Sequence, residues 1–278
     1  MSAQASLLLR LEGPWQSWGE LGRLTTRETR THPTKSGVIG LVANALGYER
    51  DADLTELAAL EFAVRVDRPG TIERDVQTVG SGTMPSLVGD MLADPRLLAS
   101  PVPTVHGGFQ GSPWSYGAPR DVAASLEGRL VSPYPAKGRQ TVLTERHYLA
   151  DAAFVAALGG PHALLETIAA AIDDPARALF LGRRKCVPGW APMNLGVHAA
   201  APLDALAAVP RLPRAQEGAL TAWVESGPGP GAAAVADQPL SFDTHERDYA
   251  LRYEKPVEID PPAPVPDAYP DLPAKDTA

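Results

Sequence analysis

Short stretches of the sequence carry basic side chains at spacings that suit the binding of a single-stranded nucleic acid. In the clearest of them, Gly182 precedes three consecutive cations, Arg183, Arg184 and Lys185. A glycine permits a tight turn, so the three side chains can converge on the phosphate backbone of RNA or DNA. The alternative is a solvated surface turn that binds nothing.

A second stretch, residues 15–36, mixes cations with aromatic and amide side chains. Unpaired bases stack on aromatic rings while phosphates pair with cations, so this mixture suits single-stranded nucleic acid. The alternative is that the tryptophans belong to the core and that Glu20 and Glu28 neutralise the arginines. The candidate RNA-binding residues of this stretch are Gln16, Trp18, Arg23, Arg27, Lys35 and Ser36.

Lys35 and Ser36 also stand at the predicted start of a helix. Lys-Ser ends the phosphate-binding loop G-x-x-x-x-G-K-S, but Thr29 and Thr34 occupy its two glycine positions. Nucleotide hydrolysis is therefore not predicted. A helix N-terminus with a lysine and hydroxyls can still hold one phosphate, and ordinary helix capping is the alternative.

One combination of residues could support catalysis. His147 with Tyr148 or Lys185 could act as a general acid–base pair that cleaves RNA, although a lone histidine in a strand is more often structural. None of the six histidines falls in an H-x-x-x-H or H-E-x-x-H pattern. The single cysteine, Cys186, cannot form a disulfide within the chain or a cysteine-based zinc site. We therefore expect no metal and no cofactor.

Periodic patterns predict the elements that would position these residues. Strands are predicted at 5–12, 61–67, 72–79, 141–149 and 193–198, with later strands at 219–226 and 247–253, and helices at about 34–46 and 161–173. With the strand at 72–79 set aside as one arm of a ribbon, the elements from residue 5 to residue 198 outside residues 81–139 follow the order β-α-β-β-α-β. That order predicts an α+β fold with a ferredoxin-like (RRM-like) core.

Composition divides the chain into three parts. Residues 1–80 and 140–226 are predicted to form the RNA-binding core. Residues 81–139 are rich in Gly, Pro and Ser, and because long loops tend to be functional they predict an inserted arm or subdomain, which we call the thumb. Residues 227–278, Pro-rich and acidic, predict an irregular C-terminal extension that is partly disordered. The candidate contact residues of the thumb are Phe109, Trp114, Tyr116, Arg129, Lys137 and Arg139.

The overall charge restricts the kind of nucleic-acid binder that the chain can be. The 278 residues carry a net charge of −8, which argues against a free-standing nucleic-acid-binding protein. Residues 254–278 hold six acidic and two basic residues, so about half of the excess lies there and a local basic face remains possible. The apolar run at 7–9 is too short for a signal peptide or a membrane span, so we expect a cytoplasmic protein without membrane contact.

Five motifs, in order and at consistent spacing across residues 6–190, together resemble one family. They lie at 13–19 (GPWQSWG), 32–47, 75–80, 144–151 and 181–188, and they add Gln77, Arg146 and His147 to the candidate RNA-binding residues. The chain is similar to the CasD subunits of type I-E CRISPR Cascade complexes, within the RAMP superfamily.

The resemblance implies a fold, a role and partners. Such subunits have a ferredoxin-like domain with an inserted thumb, grip the 5′ handle of the CRISPR guide RNA (crRNA) and cap the backbone of repeated subunits. They also contact the large subunit that recognises the PAM, and they meet target DNA mainly through the complex. A related type I-C subunit cuts RNA with Tyr, His and Lys residues, but that set cannot be mapped onto this sequence, so no catalytic residue is transferred.

Three hypotheses follow for the function. The first is a non-catalytic subunit that binds guide RNA in antiviral defence. The second is a metal-independent endoribonuclease that processes precursor crRNA. The third is a scaffold that contacts only proteins and whose basic clusters are plain surface.

Overall fold

The computed structural model describes residues 5–19, 26–79, 123–124, 130–131, 142–189, 192–243 and 246–264. These residues fall into two compact units. The first unit draws on residues 1–23, 28–74 and 147–278, and the second on residues 24–27 and 75–146. No helix within the described ranges is long and apolar enough to cross a membrane.

The described ranges contain thirteen strands and four helices, a mixed α+β composition dominated by strands. In chain order they are β1 (Ala5–Glu12), β2 (Trp15–Gln16), β3 (Thr26–Arg27), α1 (Lys35–Ala45), α2 (Thr55–Ala58), β4 (Glu61–Arg68), β5 (Thr71–Val79), β6 (Ala123–Ala124), β7 (Leu130–Val131), β8 (Val142–Ala150), β9 (Ala153–Gly160), α3 (His162–Asp173), β10 (Asn194–His198), α4 (Pro202–Ala208), β11 (Leu220–Ser226), β12 (Ala233–Ser241) and β13 (Asp248–Ile259).

Seven strands of the first unit form one sheet in the order β10-β1-β9-β4-β11-β13-β12. Every neighbouring pair in this sheet is antiparallel. Successive side chains of a strand point to opposite faces, so Leu7 and Leu9 of β1 face one layer and Leu8 faces the other. All three are fully buried, which places β1 inside the molecule with both faces covered.

Helices cover the two faces of this sheet. On one face, α1, α2 and α3 enclose the larger core, which includes Leu7, Ile39 and Phe154. On the other face, α4 covers a smaller core around Leu8 and Leu206. The sheet is thus the middle layer of the first unit.

Arg65 of β4 ties α4 to the sheet. Its side chain has no exposed surface and donates to both carboxylate oxygens of Asp67 at 2.6 and 2.9 Å. It also donates to the carbonyl oxygens of Leu206, Val209 and Pro210 at 2.6 to 2.9 Å. The carbonyls at the end of a helix lack partners within the helix, so this buried arginine satisfies the end of α4.

Three buried charges link β12 and β13 to the start of α1; we call Asp237, Arg252 and Glu254 the β13 network. One nitrogen of the Arg252 guanidinium donates to Asp237 at 2.9 Å and to Glu254 at 2.8 Å. Asp237 also accepts the backbone N–H of Lys35 at 2.7 Å. All three side chains are less than a tenth exposed, so removal of any one leaves a buried charge short of a partner.

Glu254 has further partners in the segment before α1. One of its oxygens accepts from Arg30 at 2.9 Å and lies 3.0 Å from Nε2 of His32, whose ring stacks on Trp223 with centroids 4.6 Å apart. Burial raises the pKa of Glu254, but the contacts with His32 and Arg252 outweigh it, so the pKa lies below the ordinary value. The carboxylate is therefore held in its charged form.

Glu254→Gln should destabilise the protein at neutral pH, and the destabilisation should shrink in acid. Because the pKa of Glu254 is lowered in the fold, the carboxylate contributes stability above the ordinary pKa of 4.5, and this contribution is lost as the pH falls through the folded pKa. Thermal unfolding of wild type and variant, from about pH 7 to about pH 3, measures the difference. Glu258→Gln, an exposed change on the same strand, is the control, and a pH-independent effect of Glu254→Gln contradicts the prediction.

The second unit contains strand pairs of its own. β3 runs parallel to β8, with Thr26 opposite Glu145 and Arg27 opposite Arg146. β6 and β7 form an antiparallel pair. Most of the predicted thumb, residues 81–139, lies outside the described residues.

The elements predicted from periodicity are present, and one prediction is wrong. β1, β4, β5, β8, β10, β11, α1 and α3 lie where the patterns place them. The strand predicted at 141–149 is β8, however, and it lies outside the main sheet; β9, whose apolar sequence does not distinguish strand from helix, takes the place expected for it beside β1 and β4. The strand predicted at 247–253 is present within β13, but the segment from residue 227 onward is not an irregular extension, because it also contains β12 and both strands join the main sheet. Its inward-facing side chains include Asp237, Arg252 and Glu254, so the usual apolar alternation is missing. Residues 265–278 lie outside the described residues.

Candidate functional site

The three consecutive cations lie on a loop that is anchored at both ends; we call residues 182–186 the cation loop. The backbone N–H of Leu181 donates to the carbonyl of Cys186 at 2.8 Å. The carbonyl of Leu181 accepts the N–H of Ser17 at 3.1 Å. The side chains of Leu181 and Cys186 are fully buried, so the core fixes both ends of the loop.

Gly182 allows the cation loop to lie against the segment that follows β1. Its φ angle is +88°, a backbone conformation that residues with a side chain rarely adopt. A Cβ added there would lie 1.8 Å from the carbonyl oxygen of Ser17. Both observations require glycine at this position. A glycine before three cations predicts a turn here, and the structure adds the close backbone approach.

Two of the cations pack on a pair of aromatic rings; we call Trp15, Tyr148, Arg183 and Lys185 the aromatic platform. Trp15 and Tyr148 stack with ring centroids 5.0 Å apart and planes inclined by 27°. The Lys185 ammonium lies 4.4 Å from the Tyr148 centroid and 5.2 Å from that of Trp15, and the Arg183 guanidinium lies 4.9 Å from Tyr148. Trp15 remains 39% exposed while Tyr148 is buried beneath it, so the platform presents an indole and cations at the surface.

The hydroxyl of Tyr148 sits in a strongly positive environment. It is buried and makes no hydrogen bond of normal geometry to another described residue. Burial raises the pKa of Tyr148, but the neighbouring Lys185 and Arg183 outweigh burial and lower the pKa below its ordinary value. The platform thus favours negative charge.

Strand β8 places the residues beneath the platform. In the first unit, β2 pairs with β8 so that Trp15 lies opposite Ala150 and Gln16 opposite Leu149. The carbonyl of His147, the residue before Tyr148, accepts from the Arg183 guanidinium at 3.2 Å. The pairing of β2 with β8 therefore brings Trp15 and Tyr148 together from distant parts of the chain.

Two other predicted site residues lie inside the fold. Gln16 donates to the carbonyls of Leu11 and Ala152 at 3.0 and 2.9 Å, and it accepts the indole N–H of Trp18 at 3.0 Å. Gln16 and Trp18 have no exposed surface. This geometry favours the alternative in which both residues hold the core together.

Lys35 is also engaged within the fold. Its ammonium lies 2.9 Å from Glu225 and its side chain is 4% exposed. Thr34 caps α1, because its hydroxyl accepts the N–H of Gly37 at 3.2 Å. The first turn of α1 therefore fits the capping alternative better than a phosphate site, while the neighbouring Ser36 is half-buried.

The remaining predicted site residues fall in several places. Arg27, Gln77 and Arg146 belong to the second unit, whereas His147 belongs to the first. Gln77 donates to Asp75 at 2.8 Å. The predicted residues that lie outside the described ranges are Arg23, Phe109, Trp114, Tyr116, Arg129, Lys137 and Arg139.

A second cluster of cations is not visible in the sequence. Arg50, Arg177 and Arg247 line a cavity beside α1 together with Arg184 of the cation loop. No pattern in the sequence connects the first three, because they come from separate connections that only the fold brings together. Among the described residues, no group of three or more His, Cys, Asp or Glu side chains could hold a metal ion.

Comparisons with known proteins show which proteins this chain resembles. The chain is 31% identical over 197 residues to CRISPR system Cascade subunit CasD of Escherichia coli (strain K12), covering 68% of this chain and 70% of that protein. It is similar to a chain of a solved CRISPR RNA-guided surveillance complex, with a TM-score of 0.65, 33% identity and coverage of 93% and 91%. A crystal structure of a Cas protein is similar at a TM-score of 0.61, with 28% identity and coverage of 93% and 98%.

The match to the family is broad. The family model described as CRISPR-associated protein (Cas_Cas5) matches residues 6–253. This range includes the platform, the cation loop and strands β12 and β13 up to residue 253. The chain therefore belongs to the Cas5 family of CRISPR-associated proteins.

Proposed function

We propose that this chain is a non-catalytic subunit of a CRISPR Cascade-type surveillance complex and that it holds the 5′ handle of the guide RNA. Membership of the Cas5 family and the similarity to CasD of E. coli support a place in such a complex. The similarity to a chain of an RNA-guided surveillance complex supports RNA as the ligand.

We further propose that the core of the first unit is ferredoxin-like. The support comes from the order β10-β1-β9-β4 within the larger sheet and from the chain order β1-α1-β4-β9-α3-β10. That chain order follows the β-α-β-β-α-β plan, with α1 and α3 packed on one face. Strands β11, β13 and β12 then extend this core beyond β4.

The observation that carries the RNA proposal is the aromatic platform. An unpaired base can stack on the exposed indole of Trp15, and its phosphate can approach Lys185, whose ammonium lies 5.2 Å from that ring. Such a site needs only a local concentration of positive charge, so it is compatible with the net charge of −8. The rest of the electrostatic attraction would come from the assembly.

The partners follow from the same proposal. The chain would contact the repeated backbone subunit and the large PAM-recognising subunit, and it would meet target DNA mainly through the complex. Base-specific contacts to the handle would then use unpaired bases, which single-stranded RNA offers to side chains.

Two features support a binding role over catalysis. His147 and Tyr148 are consecutive residues of β8, and because a strand alternates its side chains, His147 points away from the face that holds Tyr148 and Lys185. An acid–base pair of His147 with either residue is therefore not assembled. Burial raises the pKa of the Cys186 thiol in spite of Arg183 and Lys185, which does not favour a nucleophilic thiolate.

Two single substitutions test the platform with different signatures. Lys185→Ala should flatten the slope of log affinity against log salt by about 0.7, the contribution of one phosphate contact on a single strand. Trp15→Ala should weaken binding about tenfold at every salt concentration and leave the slope unchanged, because stacking involves no counterion release. The measurement is binding of guide RNA to the assembled complex across a salt series.

The control is Lys255→Ala, which removes an exposed cation of β13 outside the platform and should leave slope and affinity unchanged. If Lys185→Ala and Trp15→Ala both bind guide RNA like wild type, the RNA contact does not lie on the platform. That result favours the hypothesis of a scaffold that contacts only proteins. If the purified chain cleaves its cognate repeat RNA in EDTA and His147→Ala stops the cleavage, the endoribonuclease hypothesis replaces the binding role.

A further inference from the structure

A cavity of about 580 Å³ lies beside α1 in the first unit, and we call it the α1 pocket. Ser36, Gly37 and Gly40 of α1 form part of its wall. A Cβ added to Gly40 would meet the Phe242 ring at an ordinary distance of 3.7 Å. Because Gly40 carries no side chain, the Phe242 ring can lie close to α1 at the wall of the pocket.

Aromatic side chains supply much of the rest of the wall. Tyr48, Phe180, Phe242 and Tyr249 line the pocket, and each is half-buried. The rings of Phe242 and Tyr249 are tilted at 55° with centroids 6.4 Å apart. Burial raises the pKa of Tyr249 despite the nearby Arg247, so the hydroxyl is neutral at neutral pH and can donate a hydrogen bond.

The charged lining is almost entirely positive. Arg50, Arg177, Arg184 and Arg247 line the pocket, against a single acid, Glu49. Arg177 is held in place by Glu49 and by the carbonyl of Tyr48. No ion pair joins the guanidinium of Arg50 or Arg184 to another described residue. In a chain of net charge −8, this concentration of arginine around aromatic rings fits an anion that carries a flat ring.

We propose that the α1 pocket binds one unstacked nucleotide of the guide RNA, with its base among the aromatic rings and its phosphates on the arginines. This inference rests on the proposed function and adds a second contact to it. Bases stack on aromatic side chains whatever their identity, and arginine forks match phosphate oxygens. The cavity is of the size in which proteins commonly hold small ligands.

The cation loop connects the pocket with the platform. Arg183 and Lys185 contact the rings of Tyr148 and Trp15, whereas Arg184 between them lines the α1 pocket. One RNA strand that follows this loop can therefore present one base to Trp15 and another to the pocket. The run of three cations is thus divided between two neighbouring sites.

The test combines crosslinking with a substitution that fills the pocket. Guide RNAs that each carry 4-thiouridine at one handle position are irradiated in the assembled complex, and the crosslinked peptides are identified. We expect one position to crosslink to a peptide that contains Tyr48, Phe242 or Tyr249. Gly40→Leu should abolish that crosslink and weaken guide binding by about tenfold, while a crosslink at Trp15 persists.

Gly40→Leu should keep the fold, because leucine is a better helix former than glycine and the added Cβ would meet the Phe242 ring at an ordinary contact distance of 3.7 Å. The matched control is Gly229→Leu, because a Cβ added to Gly229 would meet nothing within 4 Å. This variant should change neither the crosslink nor the affinity. Arg50→Ala should flatten the salt slope by about 0.7, and Arg214→Ala, which alters an exposed arginine outside the pocket, should not.

Failure of this inference differs from failure of the proposed function. The pocket does not hold RNA if no handle position crosslinks to it, or if Gly40→Leu binds guide RNA like wild type. Lys185→Ala and Trp15→Ala test the platform independently of that result. If pocket variants weaken binding but platform variants do not, the pocket carries the contact and the platform assignment is wrong. Binding of free uridine 5′-monophosphate without a crosslink from the RNA would overturn the guide as the source of the nucleotide.

Discussion

Gly182→Ala should weaken guide RNA binding by tenfold or more and lower the melting temperature, although it removes no side chain that contacts RNA. A Cβ at this position would lie 1.8 Å from the backbone oxygen of Ser17 at a φ of +88°. Because Ser17 is itself hydrogen-bonded to Leu181, the cation loop must move away. Each charge-assisted contact that is lost costs roughly 1.5 to 3 kcal/mol, or about tenfold in affinity at the least.

Gly196→Ala separates the effect of the backbone conformation from the effect of the steric clash with Ser17. Gly196 has a φ of +90°, close to that of Gly182, but nothing lies within 4 Å of its added Cβ. Both alanines carry the conformational penalty of roughly 1 to 3 kcal/mol, and only the one at residue 182 displaces the loop. Equal guide RNA affinity for the two variants, measured in the assembled complex, would contradict a loop fixed by Ser17.

Secondary-structure elements are predictable from the sequence where their buried residues form a recognisable local pattern. Helix α3 buries apolar side chains at helical spacing, and strand β1 is a short run buried on both faces and rich in leucine, so both patterns are visible without neighbours. The cation loop is also predictable, because a glycine before three cations is a local feature. Its anchoring to Ser17 is not, since that contact joins segments that are distant in the sequence.

The buried charges of β12 and β13 show why the place of these strands in the main sheet could not be predicted, although a strand was predicted at 247–253 within β13. Their buried side chains include Asp237, Arg252 and Glu254, which satisfy one another's charges. A charged residue is expected at the surface unless its partner is known, and partners on different strands are not visible in a sequence. Local composition therefore indicated an extension where the fold contains an edge of the sheet.

In the candidate site, too, the residue types are visible in the sequence but their contacts are not. Trp15 and Lys185 are visible as an aromatic and a cation, but their contact depends on the pairing of β2 with β8. Gln16 and Trp18 satisfy each other inside the fold, which a count of residue types cannot distinguish from a binding role. The α1 pocket combines arginines from three separate connections, so only the folded chain reveals it.

Asp237→Ala should be among the most destabilising substitutions on the C-terminal side of the protein. The change leaves the buried Arg252 with Glu254 alone and leaves the N–H of Lys35 without its acceptor. Breaking a buried ion pair on one side typically costs about 3 to 5 kcal/mol. For a chain of this size that corresponds to a fall of roughly 10 °C in melting temperature.

A paired substitution tests whether the unpaired charge is the cause. Asp237→Ala combined with Arg252→Met removes both charges of that pair, while Glu254 loses Arg252 but keeps Arg30 and His32. The double variant should therefore recover part of the lost stability, because the buried guanidinium is no longer left without Asp237. Glu258→Ala, an exposed change on β13, should stay within about 0.5 kcal/mol of wild type. Thermal unfolding of the three variants measures these effects. The β13 network does not hold β12 and β13 to α1 if Asp237→Ala and Glu258→Ala have the same melting temperature. The same conclusion follows if the double variant is less stable than Asp237→Ala.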